Sequence, residues 1–337
     1  MLVVYDEIYG DHLRGIPHAE SPDRVQVVAS FLRDSGKLNN LIDPRDASDA
    51  EITRVHSAEY LETVKRETQA LHSHAAYLST GDTVIDAHSL IVARRAAGGA
   101  LSAMENAVAE NQSVFALIRP PGHHAESTRG MGFCVFNNAA IAARTYLADH
   151  GGRVLIVDFD YHHGNGTQAV AGDGISYVST HGYPAYPGTG SADENYNLGA
   201  DMILNVPLPP HRFGTEPFVA LWEDLLPKVA AKVKPTMLIV SAGFDYVSGD
   251  PVGDLGVERS AATDLTRLIN RVAAQYCEGR AIFLLEGGYN ISVLMESVAR
   301  VIESVDAKET ALSSAQESAI PQRERAIVQF VSELLGK

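Results

Sequence analysis

Residues 154–167 read Val154-Leu-Ile-Val-Asp158-Phe-Asp160-Tyr-His162-His163-Gly-Asn165-Gly-Thr167. A short β-favouring apolar run gives way at once to acids, imidazoles and glycines. Such a run, without alternation, suits a strand buried on both faces in a helix-covered parallel sheet. Its polar sequel then falls at the strand's carboxyl end, where open α/β sheets place their sites. The runs Val114–Ile118, Ile175–Ser179, Met237–Val240 and Ile282–Leu285 have the same character. Between the runs, apolar residues recur at helical spacing over Ser89–Asn111, Asn138–His150, Thr215–Val233, Arg259–Gln275 and Ile291–Val305. This alternation predicts an α/β fold with an open, mainly parallel sheet flanked by helices.

The residues after each run are unusual. Arg119-Pro-Pro-Gly-His123-His124 follows the first, and Ser179-Thr-His181 with Tyr186-Pro-Gly-Thr-Gly190 follows the third. Ser241-Ala-Gly-Phe-Asp245 and Glu286-Gly-Gly-Tyr289-Asn290 follow the last two. Packing alone does not explain His, Asp or Tyr beside glycine at five strand ends. Asp160 and His162 leave the same face of an extended segment. They form a metal-ligand pair, with Asp245 the best candidate for a third ligand. Two carboxylates and one imidazole leave a position open, as in a catalytic zinc site. Oxygen and nitrogen ligands would also accept Fe²⁺, Co²⁺ or Mn²⁺. Taken alone, the Asp-x-His pair also reads as a salt bridge at a strand end. A histidine acting as a base needs a partner on its other nitrogen. Asp158 and Asn165 are near enough in sequence to serve His123 and His124. Tyr289, in a Gly-Gly turn, can aim its hydroxyl into the same crevice.

Composition narrows the partners. The 337 residues hold 27 Lys+Arg against 42 Asp+Glu, a net charge of −15. A surface this acidic is ill suited to nucleic-acid phosphates or anionic membranes. Two cysteines make neither a disulfide framework nor a thiolate zinc site. The amino terminus shows no secretory pattern, and no apolar run approaches the ~18 residues of a membrane span. A soluble, cytoplasmic protein is expected. No GxSxG, HExxH, GxGxxG or GxxxxGK[ST] occurs, which disfavours serine α/β-hydrolases, zincins and phosphate-loop proteins. His72-Ser-His74 reads as solvated surface, and Cys134 as a small buried apolar residue. Residues 306–322 predict a polar linker and 323–337 a C-terminal amphipathic helix.

Six segments together resemble the histone deacetylase superfamily, especially its class II and bacterial amidohydrolase-like members, which are related to acetylpolyamine amidohydrolases. They are RPPGHHA (119–125), MGFCVFNN (131–138), VDFDYHHGNGT (157–167), YPGTG (186–190), SAGFDYVSGDP (241–251) and LEGGYN (285–290). The resemblance covers 1–305 and implies one catalytic domain of the arginase–deacetylase fold, with a sheet of about eight strands. It makes Asp160, His162 and Asp245 the ligands of one Zn²⁺, with Fe²⁺ or Co²⁺ as substitutes. His124 becomes general base and acid, His123 its electrostatic companion paired to Asp158, and Tyr289 the oxyanion donor. Asn165 stands where many members have Asp, so His124 should be less basic here. Phe133 and Tyr186 match the aromatic walls of an acyl-lysine tunnel, with Tyr186 where Phe is usual. Gly132 matches the tunnel glycine. The backbone near Asp158, Asp160, His162 and Ser179 resembles an inner K⁺ site.

The implied activity is removal of acetyl or other acyl groups from lysine side chains or similar amines. Family members selective for acetylpolyamines carry an acidic gatekeeper where Val252 stands. An apolar residue there favours acyl-lysine, with acetylpolyamines as the alternative. A silent metal-binding scaffold of the same fold is the alternative of another class. An arginase-like dimanganese site lacks its further Asp after His162. Self-association is compatible with this reading.

Overall fold

The computed structural model describes residues 1–304 apart from Asn39 and Ser73, together with Arg325, Gln329 and Glu333. The linker expected over 306–322 lies outside the described residues, as does all but those three positions of the expected C-terminal helix. The three are helical and exposed.

Nine strands form the main sheet: β1 (Leu2–Val4), β2 (Leu41–Ile42), β3 (Ser113–Ala116), β4 (Val154–Asp158), β5 (Ile175–Gly182), β6 (Tyr196–Leu198), β7 (Asp201–Leu208), β8 (Met237–Ala242) and β9 (Ala281–Leu285). Their spatial order is β2-β1-β3-β9-β8-β4-β5-β7-β6. All neighbours run parallel except β6, which pairs antiparallel with β7. The five strands expected from the sequence are the five contiguous central ones, and every residue of them is buried. That accounts for their unbroken apolar runs. The sheet is one strand larger than expected.

Among the described residues seven long helices accompany it: α1 (Asp23–Asp34), α2 (Ala58–Ala70), α3 (Ser89–Glu110), α4 (Asn138–His150), α5 (Thr215–Val233), α6 (Ala261–Tyr276) and α7 (Ile291–Ser304). Those from α3 onward match the expected spans within two residues. Helix α1 packs on α7, α7 on α6 and α6 on α5, while α3 packs on α4. His72 and His74 are exposed, and Cys134 is buried. Among the described residues no helix is long and apolar enough to cross a membrane.

The connections locate the crevice. From β4 the chain moves outward to β5 and β7; it then returns to β8, beside β4, and continues to β9 on the other side. β4 and β8 therefore flank a reversal of direction, and such a switch point opens a cleft beyond the carboxyl ends of its strands. Asp158 and Ser241 are register partners at those ends. Asp160 and His162 follow one strand and Asp245 the other.

Candidate active site

Asp160, His162 and Asp245 converge there, all buried, with one potential ligand atom from each within 4.8 Å of the others. The backbone fixes the two carboxylates. Asp160 Oδ1 accepts from the His162 N–H (2.8 Å), and its Oδ2 accepts from the Gly287 N–H (2.7 Å). Asp245 Oδ1 accepts from the Tyr161 N–H (2.9 Å). A side chain at Gly287 would run into both carboxylates, so glycine is required where the loop crosses them. His162 turns Nδ1 toward the acids, 3.2 Å from Asp160 and 2.9 Å from Asp245 Oδ2.

A cation fits this donor set. Asp245 Oδ2 is buried and meets no polar group other than the His162 ring nitrogen, and such an atom is costly unless something positive meets it. Burial opposes the charging of His162, yet Asp160 and Asp245 push its pKa up to about 10. Burial and the Asp160 charge raise Asp245 to about 6. His162 and Asp245 thus both hold protons more tightly than usual beside an ionised Asp160, and a divalent ion would satisfy all three.

The adjacent histidines take different partners. His123 Nδ1 lies 3.1 Å from Asp158 Oδ2, and His124 Nδ1 lies 2.8 Å from Asn165 Oδ1. Asp158 is held by the Asp160 N–H (3.1 Å) and the Tyr177 hydroxyl (3.0 Å). Burial lowers both imidazoles, but Asp160 and Asp158 outweigh it at His123, whose pKa rises to about 10. At His124 burial is reinforced by His123 and His162, and the pKa falls well below 6.5. Neighbouring rings are thus driven in opposite directions, one toward the charged form and the other toward the neutral.

Above Asp160, His162 and Asp245 opens a cavity of about 200 Å³ lined by Asp82, His124, Gly132, Phe133, His162, Tyr186, Val252 and Tyr289. Gly132 and Phe133 both have positive φ, +56° and +69°. A Cβ at Gly132 would overlap the His124 ring, so that turn needs glycine twice over. A positive φ at phenylalanine is unusual and is found where a site demands it. The Phe133 ring meets Tyr289 edge-on at 5.8 Å, and Tyr186 meets His124 at 5.1 Å. Burial keeps the Tyr289 hydroxyl protonated, its pKa well above 10.

The structure brings the site residues expected from the sequence together at this crevice, with His124, Gly132, Phe133, His162, Tyr186 and Tyr289 in the cavity lining and Asp158, Asp160, His123, Asn165 and Asp245 in contact with them or with one another. Others had no local signal. Arg24 stands over the Tyr289 ring, 4.8 Å from its centroid, and donates to the Gly288 carbonyl (2.7 Å) and to that of Glu286. Glu20 is fully buried between Arg24 (3.0 Å) and Arg119 (2.7 Å). Asp250 accepts from the Tyr289 and Asn290 N–H groups (2.6 and 2.9 Å). At the rim, Asp82 accepts from the Gly132 N–H (2.8 Å) and the Tyr186 hydroxyl (3.0 Å). Arg119, Asp250 and Glu286 sit inside the quoted motifs; Glu20, Arg24 and Asp82 carry no pattern.

The histone deacetylase domain model matches residues 18–305. The chain belongs to the histone deacetylase family. It is 35% identical over 297 residues to histone deacetylase 15 of Arabidopsis thaliana, covering 85% of this chain and 52% of that protein. A probable deacetylase of Archaeoglobus fulgidus is 33% identical, with 86% and 81% covered. The polyamine deacetylase HDAC10 of Homo sapiens is 35% identical, with 85% and 44% covered. The chain therefore spans about half the length of the plant and human relatives. The crystal structure of the HDA15 HD domain superposes with a TM-score of 0.86 at 32% identity, covering 99% of this chain and 93% of that one. The family's arginase–deacetylase architecture is the fold described above.

Proposed function

We propose that this protein is a zinc-dependent amidohydrolase that removes acetyl or other acyl groups from the terminal amine of lysine side chains. One observation carries the reading: the neutral His124, the ligand His162 and the protonated Tyr289 line a single cavity beneath two aromatic walls.

Asp160, His162 and Asp245 hold Zn²⁺, or Fe²⁺ or Co²⁺ in its place. When bound, such an ion polarises a carbonyl and makes water more acidic. The two carboxylate ligands offset the ion's charge, so the chain must supply proton transfer itself. His124 Nε2 takes a proton from the water attacking the acyl carbon. His123, charged against Asp158, stabilises the negative charge gathering nearby. Tyr289 Oη donates to the developing oxyanion. His124 then returns the proton to the leaving nitrogen as the C–N bond breaks, giving carboxylic acid and amine, which exchange the remaining proton to leave as carboxylate and ammonium. Positioned proton transfer of this kind is typically worth ~10²–10⁴ in rate. Phe133 and Tyr186 flank the apolar stem of the substrate, and the Gly132 carbonyl receives its amide N–H.

The same reading takes residues 1–305 as one catalytic domain and places K⁺ at the backbone around Asp158, Asp160, His162 and Ser179. Its substrate is an acetylated peptide, protein or amine, met in the cytoplasm. A second reading, an acetylpolyamine amidohydrolase, draws on Asp82. This acid stands at the rim where a cationic tail would emerge, while Val252, also in the lining, offers no charge. The deciding measurement is kcat/KM for acetyl-lysine peptides, longer acyl-lysines and acetylated polyamines on protein of known metal content. Acetyl-lysine should lead. Preference for an acetylated diamine would transfer the assignment to polyamines, and hydrolysis of none would leave a metal-binding scaffold.

A further inference from the structure

Asn165 presents His124 with a choice that a carboxylate would not. An amide offers an acceptor at one end and a donor at the other. With Oδ1 toward the ring, His124 carries its proton on Nδ1 and keeps a free lone pair on Nε2. With the amide reversed, Nδ1 must accept, Nε2 is protonated, and the ring cannot act as a base.

The surroundings of the amide decide between these states. Asn165 Nδ2 lies 2.7 Å from Glu126 Oε1. Both Glu126 oxygens are engaged by Arg129, at 2.9 and 3.0 Å, so Glu126 has no proton to offer. Reversal would set Asn165 Oδ1 against a carboxylate oxygen, two acceptors without a hydrogen between them. The other neighbours of Nδ2, the His124 carbonyl and Met131 Sδ, both at 3.4 Å, are acceptors as well. Glu126 is itself anchored, its N–H donating to the Arg129 carbonyl (3.0 Å) and its own carbonyl bonded to His56 Nδ1 (2.9 Å).

We infer that Glu126 is a positioning residue: through the Asn165 amide it fixes His124 in the Nδ1–H tautomer. The inference deepens the proposed role of His124 as base and rests on it. Arg129 balances the Glu126 charge, so orientation of the amide, not a remote field, is what Glu126 contributes.

The test uses the metal-loaded full chain as wild type, Glu126→Ala, Glu126→Gln, Asn165→Asp and Glu126→Ala/Asn165→Asp. It reads kcat, KM and the ¹⁵N imidazole shifts of His124. Glu126→Ala should lower kcat about tenfold, the scale of outer-sphere partners, with KM within about twofold. Its His124 should show a mixture of tautomers. Glu126→Gln retains an acceptor and should recover most of kcat. In the Asn165→Asp background Glu126→Ala should cost nothing further, because either carboxylate oxygen accepts from Nδ1–H and the loss of Glu126 also removes the carboxylate that Asp would face. A Glu126→Ala protein with wild-type kcat and a single tautomer would overturn the inference. So would an equal loss in both backgrounds, which would mark Glu126 and Arg129 as props for the loop. If the wild type hydrolyses no acylated amine, the activity reading falls, and the tautomer measurement still decides the role of Glu126.

Discussion

At the floor of the cavity Asp158, Asp160 and Asp245 are wholly buried, and each of their oxygens has an N–H or O–H donor except Asp245 Oδ2, which faces only the His162 ring. At the rim, Tyr186 is 39% and Val252 36% exposed, and a single side-chain hydrogen bond ties Tyr186 to Asp82. The floor is charged, buried and held mainly by backbone N–H groups from two strand-end loops. The rim is aromatic, wetted and held by side chains. Electrostatic interactions are strong in the first setting and screened in the second. Substitutions in the floor should therefore act on kcat and metal content, and those at the rim on KM and substrate choice.

The largest effect is expected from Asp245→Asn. It removes a charge that neither Asp160 nor His162 can replace. Metal retained after dialysis, measured by elemental analysis, should fall by more than the ~10–100-fold change in affinity typical of an outer-sphere partner. Turnover should be lost with the metal. A variant that kept one metal per chain and its activity would separate the acidic floor from the metal site. Tyr289→Phe comes next, with metal content unchanged and kcat lower by ~10²–10³, the usual cost of one oxyanion donor. Near-wild-type turnover would remove Tyr289 from the floor's chemistry.

Asn165→Asp tests the floor's internal division. Burial, then the charges of His123 and His162, hold His124 below 6.5. A carboxylate in place of the amide favours the imidazolium and raises that pKa. The base is active when unprotonated, so the acid limb of the kcat/KM profile should move to higher pH, by about one unit. An unmoved limb, or one shifted toward acid, would show that His124 does not titrate as the base.

How much of this was legible in the sequence follows from the same contrast. The five central strands announce themselves because burial on both faces leaves an unbroken apolar run. β1 gives only Leu2–Val4 to the sheet. β7 carries Asn205 and Pro207, residues that argue against a strand. Proline is tolerated there because β6 pairs only with residues 201–203, leaving the outer edge of β7 free of β6 beyond them. The floor was readable for a related reason: Asp160, His162 and Asp245 each lie within four residues of a strand end. The supports were not. Arg24 meets the Gly288 carbonyl across 264 residues of chain, and in the sequence it is one more charge on an amphipathic helix. The contacts of Glu126 with Asn165 and of Asp82 with Gly132 and Tyr186 form only when distant loops meet.

Tyr186→Phe should give the smallest effect and is the sharpest probe of the rim. Its hydroxyl donates to Asp82 at 3.0 Å across the mouth, while its ring stands edge-on to His124. The substitution keeps the wall and removes only the tie. A net hydrogen bond contributes about 0.5–1.5 kcal/mol, with exposed ones at the low end. KM for an acetyl-lysine peptide should therefore change by no more than about threefold, with kcat unaltered. The released Asp82 keeps its bond to the Gly132 N–H but gains a free oxygen at the entrance. Acetylated amines with a second cationic group should then gain relative to neutral-tailed substrates, and added salt should erase the gain. If kcat falls instead, the Tyr186 tie reaches the floor, and the separation of floor from rim fails at the residue that joins them.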